Sequence, residues 1–132
     1  LLQMQEGAPM VSMNLSSREC DGRAVVALRG ELDVVDAASV AAALTAVAVR
    51  APEMIVDLAG LEFIDSSGLA ALVLARKQAR QAGGDLLLAA PQDQVLRVLA
   101  VTRLAGVFSV HASVEQAAGS AERSRLMAVP VA

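Results

Sequence analysis

The chain has 132 residues, of which 55% are hydrophobic and 19% charged, with a net charge of −3, a balance that suits one compact domain with a single core. Two Phe and no Trp or Tyr leave no stacking platform for single-stranded nucleic acid, and the negative charge gives no basic footprint for a phosphate backbone. The one cysteine, Cys20, excludes an internal disulfide and suits a reducing compartment, and no apolar run reaches the length of a membrane span.

Residues 1–11 show no clear period and read as a flexible lead-in, without the basic start and apolar stretch of a signal peptide. Ser12–Cys20 alternates weakly, as a short strand does, and Asp21-Gly22 is a hairpin signal leading into a second, antiparallel strand, Ala24–Gly30. Asp36 is a candidate N-cap for a helix in which Val40, Leu44 and Val47 share one face, and Pro52 follows its end. Glu53–Leu58 is a β-branched apolar strand, and Ala59–Gly68 reads as a loop. A helix is predicted from Ser67 to Ala82, stopped by Gly83-Gly84. Asp85–Ala90 is the next strand. After Pro91–Asp93 comes a helix with Val95, Leu99 and Thr102 on one side. Gly106–Val110 is the last strand, and Ser113 with Gln116 forms a capping-box signature before a final helix. Residues 121–132 read as a flexible tail. The order β-β-α-β-α-β-α-β-α predicts an α/β fold over residues 12–120: a small, mostly parallel sheet, an antiparallel N-terminal edge strand and about four helices.

In such a sheet the loops after the carboxyl ends of the parallel strands share one rim, where ligands bind. Gly30–Asp36, Ala59–Gly68 and Pro91–Asp93 are those loops, so Asp33, Asp65, Ser66 and Ser67 are expected to be neighbours. A helix start takes one capping residue, and "DSSG" offers three. On local chemistry alone, two capped helices account for the same residues, with Gly30 and Gly68 serving the backbone. Leu69, Leu72, Val73 and Leu74 cover more than one helix face, which fits either a docking surface or broad burial on a sheet. Arg76, Lys77 and Arg80 read as a solvated face near the helix C-terminus. An enzyme reading finds little: His111 follows the last strand without an orienting partner, and there is no G-x-S-x-G elbow, P-loop, G-x-G-x-x-G or metal-ligand cluster.

Three segments, "RGELDVVDA", "IVDLAGLEFIDSSGLAALV" and "AGGDLLLAAPQDQVLRVLAVTRLAGVFSVHASVEQA", occur in that order. Together they resemble the STAS domain, specifically the bacterial anti-sigma factor antagonists, over residues 12–120. The resemblance implies a STAS fold and a non-enzymatic, cytoplasmic partner switch. In it Ser67 is phosphorylated by an anti-sigma factor that is also a serine kinase. The unphosphorylated form binds that partner and releases the sigma factor, the phosphorylated form does not bind, and a serine phosphatase resets it. No cofactor belongs to the chain, since ATP is used by the partner kinase; no direct nucleic-acid contact and no membrane insertion are implied. Asp33 matches the acid of the family's "G-E-L-D", Asp65 the acid before the serines, and Ser66 the adjacent serine that is not the acceptor. The expected partner surface is Asp33, Asp65, Ser66, Ser67, Gly68, Leu69 and Leu72. Arg103 stands where relatives often have the Gly of "T-G-L", and the segment after Ala118 has no clear counterpart. The alternative is a STAS interaction module of another system, a lipid-transport complex subunit or a stress-signalling scaffold, with Ser67 structural.

A phosphoserine adds about −1.5 to −2 charges. A like charge ~5 Å away at an effective dielectric of ~20 repels each unit by roughly 3 kcal/mol, and by ~1 kcal/mol in more exposed geometry. Such energies weaken binding roughly ten- to several-hundredfold without a change of fold.

Overall fold

A computed structural model describes residues 13–127, with side chains through residue 123. The lead-in expected over 1–11, Ser12 and the last residues of the expected tail, 128–132, lie outside the described residues. The chain opens with a hairpin of β1 (Met13–Cys20) and β2 (Arg23–Leu32), turned by Asp21 and Gly22, both at positive φ. There follow α1 (Val34–Arg50), β3 (Glu53–Ile64), α2 (Ser66–Gln81), β4 (Asp85–Ala89) and α3 (Asp93–Val101). A 3-10 turn (Leu104–Gly106), β5 (Ser109–His111) and α4 (Val114–Met127) complete it. Among the described residues the sheet has five strands in the order β1-β2-β3-β4-β5, with β1 antiparallel to β2 and the remaining pairs parallel. The expected fold class is the observed one.

Period-2 alternation sends Val26, Leu28, Met54, Val56, Leu86 and Leu88 to one face, where they pack with Leu44 of α1, Leu72 of α2 and Leu99 of α3. Right-handed crossovers between successive neighbouring strands put those helices on the same side. The opposite face presents Val25, Ile55, Leu87 and Ala89 to Val114, Ala117 and Ala118 of α4. Arg23 is buried beneath α4, with Nη2 3.2 Å from Glu122 Oε1 and Nε 3.4 Å from Glu53 Oε1, so one cation ties α4 to the starts of β2 and β3.

Several boundaries differ from the sequence reading. β2 and β3 both run further, so the segment read as a loop from Ala59 is strand as far as Ile64. Its buried positions Leu58, Leu61 and Ile64 are three apart, because the β2–β3 register slips between Ala27 and Arg29 and again between Gly30 and Glu31. Gly30 takes φ 100° at the second slip, a conformation side chains resist. α1 starts at Val34, and its N-cap is Asp33 in place of Asp36, which lies in the first turn. The last strand starts at Ser109; Gly106 belongs to the 3-10 turn. α4 extends to Met127, so residues 121–127 of the expected tail are helical.

Candidate functional site

β2 and β3 end side by side, with Leu32 paired to Ile64. The next residue on each strand is an aspartate, and each caps the helix that follows. The Asp33 carboxylate accepts from the Val35 N–H at 3.0 Å, and Asp65 Oδ1 accepts from the Gly68 N–H at 2.9 Å. The Asp65 N–H in turn donates to the Leu32 carbonyl at 3.2 Å, joining the two strand ends. The structure therefore brings Asp33, Asp65, Ser66 and Ser67 to one rim.

Ser66 and Ser67 occupy the first two helical positions of α2. Asp65 does the capping, so neither serine is needed for it, and neither hydroxyl has a hydrogen-bond partner among the described residues. Ser66 is exposed and Ser67 half-buried. The unpaired N–H groups of the first turn and the positive end of the helix dipole favour an added oxyanion there.

Gly68 is buried, and its place is set by space. A Cβ there would lie 2.7 Å from both the Leu32 carbonyl oxygen and Ile64 Cγ1. Without a side chain, the first turn of α2 sits directly against the end of β2. Leu69 and Leu72, expected on the partner surface, are core residues at 3% and 0% exposure, because this side of α2 lies on the sheet. The outward apolar residues of α2 are Val73 and Leu74. With Ser66, Leu69, Ala70, Lys77, Thr102 and Leu104 they line a mostly apolar groove of about 450 Å³ that begins beside Ser66, so Leu69, although mostly buried, also borders this groove. Across the rim, Val34 and Val35 follow Asp33 at 70% and 77% exposure, and Phe63 is partly exposed.

Two glutamines were not legible from sequence. β3 pairs with β4 only as far as Asp57 and Ala89. Beyond that point, Gln92 Nε2 donates to the Ala59 carbonyl at 2.7 Å. Gln94 accepts from the Ile64 N–H at 3.0 Å and donates to the Ile64 carbonyl at 3.1 Å. Their signal, two glutamines in "PQDQV", means something only once the overhang of β3 is known.

His111 lies on β5 with Nε2 2.8 Å from Ser109 Oγ, and β4 separates it from β3, so it forms no triad with Ser67 and Asp33. Arg103, directly after the C-cap of α3, has φ 64°, the left-handed conformation that suits Gly. Among the described residues no group of three or more His, Cys, Asp or Glu is placed to hold a metal ion, and no helix is long and apolar enough to cross a membrane.

The profile of the STAS domain matches residues 14–117. BtrV of Bordetella bronchiseptica, named as a candidate anti-sigma factor antagonist, is 31% identical over 109 residues, which cover 82% of this chain and 94% of that protein. The crystal structure of an anti-sigma factor antagonist from Mycobacterium paratuberculosis is similar, with a TM-score of 0.77 and 26% identity, covering 84% of this chain and 95% of that one. The fold is also that of SpoIIAA, the Bacillus cell fate determinant, in its phosphorylated form, with a TM-score of 0.62 and 22% identity over 82% of this chain and 97% of that one.

Proposed function

The chain belongs to the STAS domain family, and from that premise we propose that it is an anti-sigma factor antagonist switched by phosphorylation of Ser67. Unphosphorylated, it binds an anti-sigma factor that is also a serine kinase, and the sigma factor is released. Phosphorylation of Ser67 abolishes that binding, and a serine phosphatase restores it. The chain performs no chemistry of its own; the partner brings ATP.

One observation carries this reading: Asp65 takes the capping bond, leaving the Ser67 hydroxyl without a hydrogen bond at the N-terminus of α2, on the rim that holds Asp33. In the transfer the Ser67 oxygen bonds to the γ-phosphorus of the partner's ATP. The bond to the bridging oxygen of ADP breaks, and the serine proton passes to a base on the partner. The new dianion sits where the helix dipole tolerates it, so the fold persists. For the partner, the same spot changes from a neutral hydroxyl to a concentrated negative charge near two carboxylates, which removes close packing and adds repulsion. The groove of Val73, Leu74 and Leu104, with Lys77 along it, gives that partner an apolar seat beside the switch. The names of BtrV and the mycobacterial protein support the antagonist role, and SpoIIAA, which shares the fold, has a phosphorylated form.

The test is to incubate the chain with a candidate kinase, Mg²⁺ and ATP and to map the phosphate by mass spectrometry. A single phosphate on Ser67 is expected. Transfer to Ser66 or elsewhere, or no transfer by a kinase that binds the chain, sinks the assignment.

A further inference from the structure

β3 outruns β4, and from Leu58 to Ile64 it has, among the described residues, a strand neighbour on one side only, β2. The backbone groups on its other edge need partners wherever they are buried, since an unpaired buried N–H or C=O is destabilising. Ile64 is 1% exposed, and both its N–H and its C=O point to that uncovered edge, where Gln94 meets them at 3.0 and 3.1 Å. A carboxamide offers one acceptor and a donor, the same pair as a peptide group, so Gln94 stands in for a residue of β4 that the shorter strand lacks. The two bonds also set the orientation of the amide, because only Oε1 accepts and only Nε2 donates. No other common side chain of this shape does both: a carboxylate has nothing to donate to the Ile64 carbonyl, and a thioether forms neither bond well.

The position of this clamp matters because Ile64 immediately precedes Asp65-Ser66-Ser67. On the other side, the Asp65 N–H is held by the Leu32 carbonyl. The last peptide groups of β3 are thus gripped from both edges, by β2 and by Gln94, while Gln92 anchors the start of the overhang at Ala59. The serines leave the sheet from a fixed point. We propose that Gln94 is a positioning residue for the phosphorylation of Ser67, acting through the backbone of Ile64 to hold the acceptor hydroxyl in line for transfer; this rests on the reading of Ser67 as the acceptor. Group transfer demands such placement, and a displacement of ~1 Å costs on the order of a hundredfold in rate.

The experiment uses the full chain and two variants, Gln94→Glu, which keeps the shape and loses the donor, and Gln94→Met, which loses both bonds. Initial rates of Ser67 phosphorylation are measured with the serine kinase that modifies the wild type, varying the chain at saturating ATP and Mg²⁺. Amide hydrogen exchange is followed in parallel. The expected result is a kcat lowered about ten- to a hundredfold with KM within about threefold. Exchange quickens at Ile64, Asp65 and Gly68, whose N–H groups are held at this end of β3, and stays slow at Val26 and Val56 in the middle of the sheet. Wild-type kcat in both variants overturns the inference alone, and so does a rate loss that comes with faster exchange across the whole sheet. A wild-type chain that takes no phosphate overturns the reading of Ser67 and the inference with it. If Gln94→Met does not fold, Gln94→Glu carries the same test.

Discussion

Asp65 holds the Gly68 amide at 2.9 Å, while Ser67, two residues on, has no hydrogen bond from its side chain among the described residues. The two residues should therefore separate cleanly in a denaturation experiment. Asp65→Ala is expected to cost about 1 kcal/mol in urea unfolding, as the loss of an N-cap does, whereas Ser67→Ala stays within about 0.5 kcal/mol. Equal losses would make Ser67 a structural residue. Gly68→Ala pushes a methyl against the Leu32 carbonyl at 2.7 Å, and backbone has nowhere to yield, so a loss of about 1–3 kcal/mol is expected in the same assay. Arg103→Gly goes the other way: relief of the left-handed conformation is partly offset by the freedom Gly has when unfolded, and a net gain of about 0.5–1 kcal/mol is expected. That Asp33, Asp65 and the serines share one rim was legible from strand order alone. Which aspartate caps α1 was not. The sequence reads Gly30–Asp36 as a loop, yet the Asp33 carboxylate reaches the Val35 N–H and the helix starts at Val34, two residues before Asp36.

At the scale of elements, α2 shows where pattern reading stops. Leu69, Leu72, Val73 and Leu74 make the first half of the helix apolar over a wide arc, and the sequence alone does not say which pair faces outward. The sheet decides it: Leu69 and Leu72 join the core with Leu32, Leu44 and Ile64, and Val73 and Leu74 are left at 38% and 45% exposure. Leu74→Glu is expected to weaken binding of the partner kinase by at least about fivefold in a titration, with an unfolding midpoint close to wild type. Leu72→Ala is expected to cost about 2–5 kcal/mol of stability. Binding unchanged in Leu74→Glu would remove the groove from the interface. The sequence pattern ends β3 early for a related reason. Its burial from Leu58 onward recurs every third residue, so neither the strand period nor the helix period registers, and Gln92 and Gln94 had no visible strand edge to close.

For the whole molecule, the order of strands and helices was readable because the apolar period changes between 2 and 3.6 at most boundaries, and the crossover rule does the rest. The packing of α4 on the opposite face, fastened by Arg23 to Glu122 and Glu53, was not, since its contacts are mainly small Ala side chains without a strong stripe. The consequence for function is a separation of ends. The switch lies at the carboxyl rim of the sheet, against a core closed by α1, α2 and α3, and a phosphate added at the start of α2 meets a favourable helix dipole. The fold should register the phosphate weakly and a docked partner strongly. The direct measurement is calorimetric titration of the partner kinase with the chain, unphosphorylated and phosphorylated at Ser67, alongside thermal unfolding of both forms. Binding weakened roughly ten- to several-hundredfold with nearly equal unfolding temperatures is the predicted result. Equal affinity of the two forms, or a loss of binding that comes only with loss of the fold, would contradict it.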